Sequence, residues 1–276
     1  MRKIVLMASL LFAGANVNAQ GLYGELSVGY GVGAPSTLLG TDVTATATTY
    51  SQKGIYGTLG SGLNITLAPG YMFSEHIGVE LGINYFMGNK VVMSNATAPT
   101  GSDKTTANSS QIRLLPSLVL STGGEKLYGF AKVGLVVPVA GDTKGFREVS
   151  TLTPLGAIPT EIHTTNKGNV SVGFRGSVGV GYNLSEKLAL SLEVFHTSLS
   201  IKAKSRVIDS YTTNGVDQIA NAPKYSTETN YVDELTQTSN NSTYNTNFSP
   251  TSAKEELASK TSYNQLGVSV GIKYNF

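Results

Sequence analysis

The chain has 276 residues, of which 14% are charged, and it contains 31 glycines but neither cysteine nor tryptophan. The lack of cysteine excludes disulfide bonds and a thiol nucleophile, so backbone hydrogen bonds and packing must supply the stability. The formal net charge of +2 gives no indication of a nucleic-acid or acidic partner.

The beginning of the chain has the pattern of a cleavable signal peptide. Arg2 and Lys3 precede a short apolar run, and Ala19 closes a small-residue cleavage site. The run is too short for a membrane-spanning helix, which needs about 20 apolar residues. We therefore predict a signal peptide over residues 1–19 and a formally neutral mature domain over residues 20–276.

Eight segments alternate apolar residues with small or polar residues. A period of two gives a β-strand one apolar face and one polar face. In chain order the segments are 22–32, 58–73, 77–87, 111–121, 127–137, 170–184, 188–199 and 266–276. The last segment is the most regular. Leu115 and Val119 interrupt the alternation of segment 111–121, and Tyr128 interrupts that of segment 127–137.

The connections are alternately short and long. Tight turns are predicted at 74–76, 121–126 and 185–187, and two of them lie in similar hairpins, Gly70–Ile77 and Gly181–Leu188. The other connections are rich in Thr, Ser, Asn and Gly and are predicted to be long loops: 34–57, 88–110, 138–169 and 200–262.

The loop over residues 200–262 is expected to be mobile because of its Ser, Thr and Asn content. Residues 255–258 could form one helical turn at most. If the loop instead added a hairpin to the sheet, the strand count would be ten, and Tyr225–Val232 is the one weak candidate strand.

The alternation favours a membrane barrel over a soluble one. The less apolar face is mostly Gly, Ser and Asn with few charges, which suits the crowded interior of a barrel of about eight strands. The opposite face is almost free of charge and suits lipid, and closure of the sheet leaves no unpaired backbone edge in hydrocarbon. Aromatic residues near the ends of the apolar band would form two interfacial girdles.

With these hairpins, glycine-rich strands, and Tyr274 and Phe276 at its end, the chain resembles the small bacterial outer-membrane β-barrel proteins (OmpA-like, OmpX-like and opacity-protein-like). The resemblance implies an all-β, transmembrane, antiparallel up-and-down barrel of eight strands in a Gram-negative outer membrane. It also implies short periplasmic turns, periplasmic termini and long extracellular loops. Ile272, Tyr274 and Phe276 resemble the signal that barrel-insertion machinery reads, and no peptidoglycan-binding domain is expected after Phe276.

Seven charged residues have the parity of the barrel interior. They are Glu25, Glu80, Arg113, Lys132, Arg175, Glu193 and Lys273. A buried charge without a partner costs several kcal/mol, so we predict a salt-bridge network in the lumen rather than a catalytic group. Glu25 is expected to pair with Lys273, and Glu193 with Arg175 or Lys132.

The residues do not indicate an enzyme, a cofactor or a metal site. His76, His163 and His196 do not pair with a carboxylate or a hydroxyl in the pattern that catalysis needs, and no metal-ligand spacing or nucleotide-binding motif is present. We predict a non-enzymatic monomer surrounded by outer-membrane lipid, with a structural or adhesive role through its loops. Two alternatives stay open: a narrow, porin-like channel for small solutes, and a lipid-modifying enzyme.

Overall fold

The computed structural model describes residues 21–34, 37–220 and 222–276. The predicted signal peptide lies outside the described residues. The described part of the chain contains 17 strands and one helix, α1, of a single turn at Lys224–Thr227. The strands are β1 Leu22–Gly33, β2 Thr37–Ala45, β3 Tyr50–Gly57, β4 Gly62–Met72, β5 Ile77–Gly88, β6 Val91–Ala98, β7 Gly101–Ser121, β8 Leu127–Thr153, β9 Gly156–Gly168, β10 Gly173–Asn183, β11 Leu188–Ser198, β12 Ser200–Thr213, β13 Val216–Asp217, β14 Glu228–Val232, β15 Lys254–Leu257, β16 Lys260–Ser262 and β17 Gln265–Asn275.

One group of strands, which we call the ring, pairs in a continuous antiparallel series. The series runs β1–β4–β5–β7–β8–β10–β11–β17. β17 then pairs with β1, so that Leu26 lies opposite Ile272 and Val28 lies opposite Val270. The predicted pairing of the first and last alternating segments is therefore confirmed.

The two faces of the ring strands differ as the alternation predicts. Along β1, Leu26, Val28 and Tyr30 are exposed, whereas Tyr23 and Glu25 are buried. The other ring strands also expose Leu, Val, Ile and aromatic side chains on the outward face. The irregular segments have a simple explanation, because Leu115 and Val119 are buried on the inward face.

Two of the tight turns have the same hydrogen bonds. Ser74 Oγ accepts from the backbone N–H groups of His76 and Ile77 at 3.3 and 3.2 Å. Ser185 Oγ accepts from the N–H groups of Lys187 and Leu188 at 3.4 and 3.1 Å. The local structure thus repeats the sequence similarity of the two hairpins, since a serine side chain commonly stabilises a turn in this way.

The same two hairpins also share a contact between glycine and tyrosine. Gly70 lies opposite Tyr23 on β1, and Gly181 lies opposite Tyr128 on β8. A Cβ atom on either glycine would overlap the ring of the facing tyrosine. Glycine is needed at both positions because each tyrosine ring covers the adjacent backbone.

The predicted long loops are wrong over most of their length, and the described residues form 17 strands, more than the eight predicted for the barrel. These regions contain β2, β3, β6, β9 and β12–β16, together with the extensions of β7 over 101–110 and of β8 over 139–153. We call these strands and extensions the head. Threonine has a high β propensity, and the Thr-rich composition here belongs to strands rather than to loops.

The region 200–262 departs most from the prediction. At most one helical turn was expected over residues 255–258, but Lys254–Leu257 forms strand β15, which pairs in parallel with β14. β14 also covers most of the weak candidate strand, but it pairs with β12 and β15, outside the ring. The Asn-rich segment between them is held by Asn240, whose side-chain amide donates to the carbonyl groups of Ser249, Ser252 and Ala253 at 2.9–3.2 Å.

Among the residues that the structure describes, we find no helix with the length and apolar character needed to cross a membrane.

Candidate functional site

The inward face of the ring carries the seven predicted charged residues. Glu25, Glu80, Arg113 and Glu193 are buried. The Lys132 and Arg175 side chains are only 13% and 12% exposed, and Lys273 is half-buried. Their strands place them on the face opposite to the apolar band, so a cluster of charges occupies the interior of the ring.

Lys132 is the centre of this cluster. Its Nζ lies 2.8 Å from Glu25 Oε2, 2.9 Å from Glu80 Oε2 and 3.7 Å from Glu193 Oε2. Two neutral donors complete the shell: Ser191 Oγ donates to Glu25 at 2.6 Å and Tyr23 Oη donates to Glu80 at 3.0 Å. One ammonium group therefore joins carboxylates from β1, β5 and β11 to β8.

Of the ion pairs predicted for Glu193 and Glu25, the structure contains the first but not the second. Glu193 contacts both of its predicted partners, Lys132 and Arg175. Its Oε1 lies 3.1 Å from Arg175 Nη2. The predicted Glu25–Lys273 ion pair is wrong, although the two residues are directly opposite each other on β1 and β17. Glu25 binds Lys132 across the lumen instead, and Lys273 Nζ lies 4.0 Å from the ring centroid of Tyr23.

Aromatic side chains also contact the arginines of the lumen. Arg113 has no carboxylate oxygen within 4.0 Å among the described residues; its Cζ lies 3.9 Å from the ring centroid of Phe86, and its Nε donates to Gln111 at 2.8 Å. Arg175 lies 3.9 Å from the ring centroid of Phe195. Such cation–π contacts are favourable in a desolvated interior.

Tyr23, Phe86 and Phe195 were not predicted as partners of the lumen charges, although a signal for such aromatic residues exists. Tyr23 is two residues from Glu25, Phe130 is two residues from Lys132, and Phe195 is two residues from Glu193. Residues two apart on a strand share a face. Each of these aromatic side chains therefore has the parity of a charged residue and could have been assigned to the interior of the ring.

Very little space is left in the charged layer. The cavity between Glu25, Glu80, Lys132, Arg175 and Glu193 has a volume of about 20 Å³, which is enough for about one water molecule. Buried apolar side chains then fill the end of the ring that adjoins the head; they are Leu59, Leu115, Val136, Leu199, Ile201 and Tyr263. Leu59 and Leu199 both lie just outside the ring strands, and both are buried.

A much larger cavity lies in the head. Its volume is about 680 Å³, and inward-facing residues of β7, β8, β9 and β12 line it together with Tyr231 and Tyr263. Within its lining, Arg147 donates to both oxygens of Asp103, at 2.9 and 2.5 Å. This hydrogen bonding to Asp103 raises the pKa of the Arg147 guanidinium above its usual value.

The proposed assembly residues are on the outward face of β17 and beyond its end. Ile272, Tyr274 and Phe276 are all exposed, and the rings of Tyr274 and Phe276 meet edge to face with centroids 5.2 Å apart. Tyr71 and Phe73 make the same contact at 5.4 Å, at the end of β4. Both pairs lie at the short-turn end of the ring.

The three histidines are not brought together. His76 is in the first short turn, where its Nδ1 lies 3.1 Å from the carbonyl oxygen of Ser121. His163 stacks on Phe146 in the head, and His196 is exposed on β11. Within the described ranges we find no group of three or more His, Asp or Glu side chains placed to hold a metal ion.

The chain matches a protein family over most of its length. The family described as "Outer membrane protein beta-barrel domain" matches residues 4–221. The solved structure of Neisserial surface protein A (NspA) is 9% identical with a TM-score of 0.38, and the match covers 94% of this chain and 100% of NspA. OprG from Pseudomonas aeruginosa is 15% identical with a TM-score of 0.47, covering 94% of this chain and 97% of OprG. No curated protein matches the chain.

The family match extends from residue 4 into the head. Because it covers well over half of the chain, the protein belongs to the family of outer membrane protein β-barrel domains.

Proposed function

We propose that this protein is a non-conducting barrel of the outer membrane that displays its head at the cell surface for interaction with an extracellular partner. In this proposal the eight ring strands are the membrane-spanning barrel. Their exposed apolar face supports this assignment, because hydrocarbon accepts such a face while the closed pairing satisfies the backbone. The closure by β1 and β17 also supports a monomer, since no strand edge of the ring needs a second copy.

The observation that carries the proposal is the contrast between the two cavities. The charged layer of the lumen leaves about 20 Å³, whereas the head has a partly open cavity of about 680 Å³. A lumen filled by ion pairs and aromatic rings supports a structural role for the barrel rather than solute flow. The larger cavity supports interaction through the head.

The orientation rests on the distribution of connections. In outer-membrane barrels the short turns are periplasmic and the long connections are extracellular. Here all strands outside the ring belong to connections at one end, whereas the turns that contain Ser74 and Ser185 lie at the end where Phe276 N–H donates to the carbonyl of Leu22 at 3.0 Å. We therefore assign the head to the exterior and the turns to the periplasm.

Labelling of single cysteines in intact cells tests this orientation. The chain has no native cysteine. Labelling of Leu155→Cys in the exposed β8–β9 hairpin, or of Glu186→Cys in a short turn, therefore has no background from other thiols of the protein. We expect a membrane-impermeant maleimide to label Leu155→Cys in intact cells, and to label Glu186→Cys only after the outer membrane is permeabilised. The reverse pattern would overturn the assignment.

A further inference from the structure

The head cavity combines an apolar lining with an excess of positive charge. Met93, Ile162, Ile208 and Tyr231 are half-buried in its lining, and Ile201 and Tyr263 are buried below them. The volume of about 680 Å³ lies within the range of about 300–1,000 Å³ that is usual for small-molecule sites. The cavity can therefore enclose a ligand with a substantial apolar part.

The charges of the lining do not cancel. The charged residues that line the cavity are Asp103, Asp142, Arg147, Lys167, Lys202 and Arg206. Arg147 pairs with Asp103, Asp142 pairs with Lys144, and Lys202 pairs with Asp233. Among the residues that the structure describes, Arg206 and Lys167 have no carboxylate oxygen within 4.0 Å.

Arg206 is the better placed of these two cations. It is half-buried on β12, opposite Asn166 and Thr229, and its Nη2 donates to Thr229 Oγ1 at 3.3 Å. This one contact is with a neutral oxygen, so the remaining N–H groups of the guanidinium can bind a planar anion such as a carboxylate.

The apolar lining continues along the same strand from Arg206. Ile208 is two residues away on the same face of β12, and Ile162 of β9 lies opposite Tyr211, five residues from Arg206 in the same direction. This separation is at most about 16 Å at 3.3 Å per residue. A headgroup bound at Arg206 therefore leaves room inside the cavity for an alkyl chain of medium length.

We infer that the head cavity binds a small amphipathic anion, a single-chain alkyl carboxylate taken from solution, with its carboxylate at Arg206 and its chain against Ile208, Ile162 and Met93. This inference rests on the proposed function, because it names the ligand class of the displayed head. Charge complementarity selects an anion, and the apolar lining selects a ligand with an alkyl chain.

Calorimetric titration of decanoate tests the inference. The protein is placed in phosphatidylcholine nanodiscs, decanoate is added below its micelle concentration, and the heat of empty nanodiscs is subtracted. We expect saturable binding at one site, with at least tenfold weaker binding of decanol, which lacks the charge, and of acetate, which lacks the chain. Arg206→Gln is expected to weaken decanoate about tenfold and to make decanoate and decanol equal.

Lys204→Gln is the matched control. Lys204 is an exposed cation two residues from Arg206 on β12 and is not part of the cavity lining, so its replacement should leave decanoate binding unchanged. No saturable binding beyond empty nanodiscs, or equal binding by wild type and a folded Arg206→Gln variant, would overturn the inference. Failure of the proposed function would be seen separately, in the cysteine labelling, and would leave this titration readable.

Discussion

Replacement of Lys132 by methionine is expected to abolish stable folding of the barrel. The change removes the ammonium group that lies within 4 Å of Glu25, Glu80 and Glu193 and leaves three buried carboxylates around an apolar side chain. Removal of one partner from a single buried ion pair costs about 3–5 kcal/mol, and here three carboxylates lose the same partner. Urea unfolding in detergent micelles and heat-modifiable gel mobility measure the loss.

Lys144→Met provides the comparison on the same strand. Lys144 pairs with Asp142 at 3.6 Å, but its side chain is 56% exposed, and exposed ion pairs contribute only about 0–1 kcal/mol. Addition of Glu25→Gln and Glu80→Gln to Lys132→Met should restore part of the stability, because fewer unpaired charges then remain. If Lys132→Met were as stable as Lys144→Met, the lumen cluster would not be a stabilising ion-pair network.

Replacement of Phe276 by lysine is expected to prevent assembly into the outer membrane. We propose that barrel-insertion machinery binds the outward stripe of Ile272, Tyr274 and Phe276. A lysine at the depth of the membrane interface costs only about 0–1 kcal/mol. Loss of folded protein from the membrane would therefore reflect lost recognition by the insertion machinery rather than lost stability. Heat-modifiable mobility of the membrane fraction reports assembly in cells.

Phe73→Lys separates these two explanations. Phe73 and Phe276 are both exposed at the short-turn end, and each contacts a tyrosine edge to face. A role in the aromatic girdle would make the two variants equally mild, whereas recognition predicts a large loss for Phe276→Lys alone. Normal levels of folded Phe276→Lys in the outer membrane would refute the assembly role.

The ring could be predicted from the sequence because it depends on local parity. Most of its strands alternate clearly, and the apolar face of β17 continues without interruption from Leu266 to Phe276. Pairing of β1 with β17 followed from the need to leave no free edge in lipid. Parity also placed Glu25 and Lys132 on the inward face, since a shift of one residue would move either charge to the lipid face.

The partners within the lumen could not be predicted in the same way. Glu25 and Lys273 are neighbours across one strand pair, but Glu25 binds Lys132 on β8, which is not adjacent to β1. Contacts across the interior depend on the stagger and tilt with which the ring closes, and local alternation carries no information about either. Tyr23 and Phe195 have the inward parity of Glu25 and Glu193, but which cation each aromatic ring contacts depends on the same closure.

The strands of the head were not predicted because their composition is typical of loops. Its strands consist largely of Thr, Ser, Asn and Gly without a strong alternation, as in the residues of β7 from Gly101 to Ser110. Such residues form a strand because they pair with a neighbouring strand. β7 pairs with β8 along both the ring and the head. The cavity, with Arg206 in its lining, exists only because these extensions continue the sheet beyond the ring.

Single-channel recording in a planar lipid bilayer tests the filled lumen most directly. Folded monomeric protein is inserted, a known porin serves as the positive control, and heat-denatured protein serves as the blank. With about 20 Å³ left among the charged side chains, we expect no current steps above those of the blank. Reproducible openings from the folded monomer would contradict the account and would favour a narrow channel.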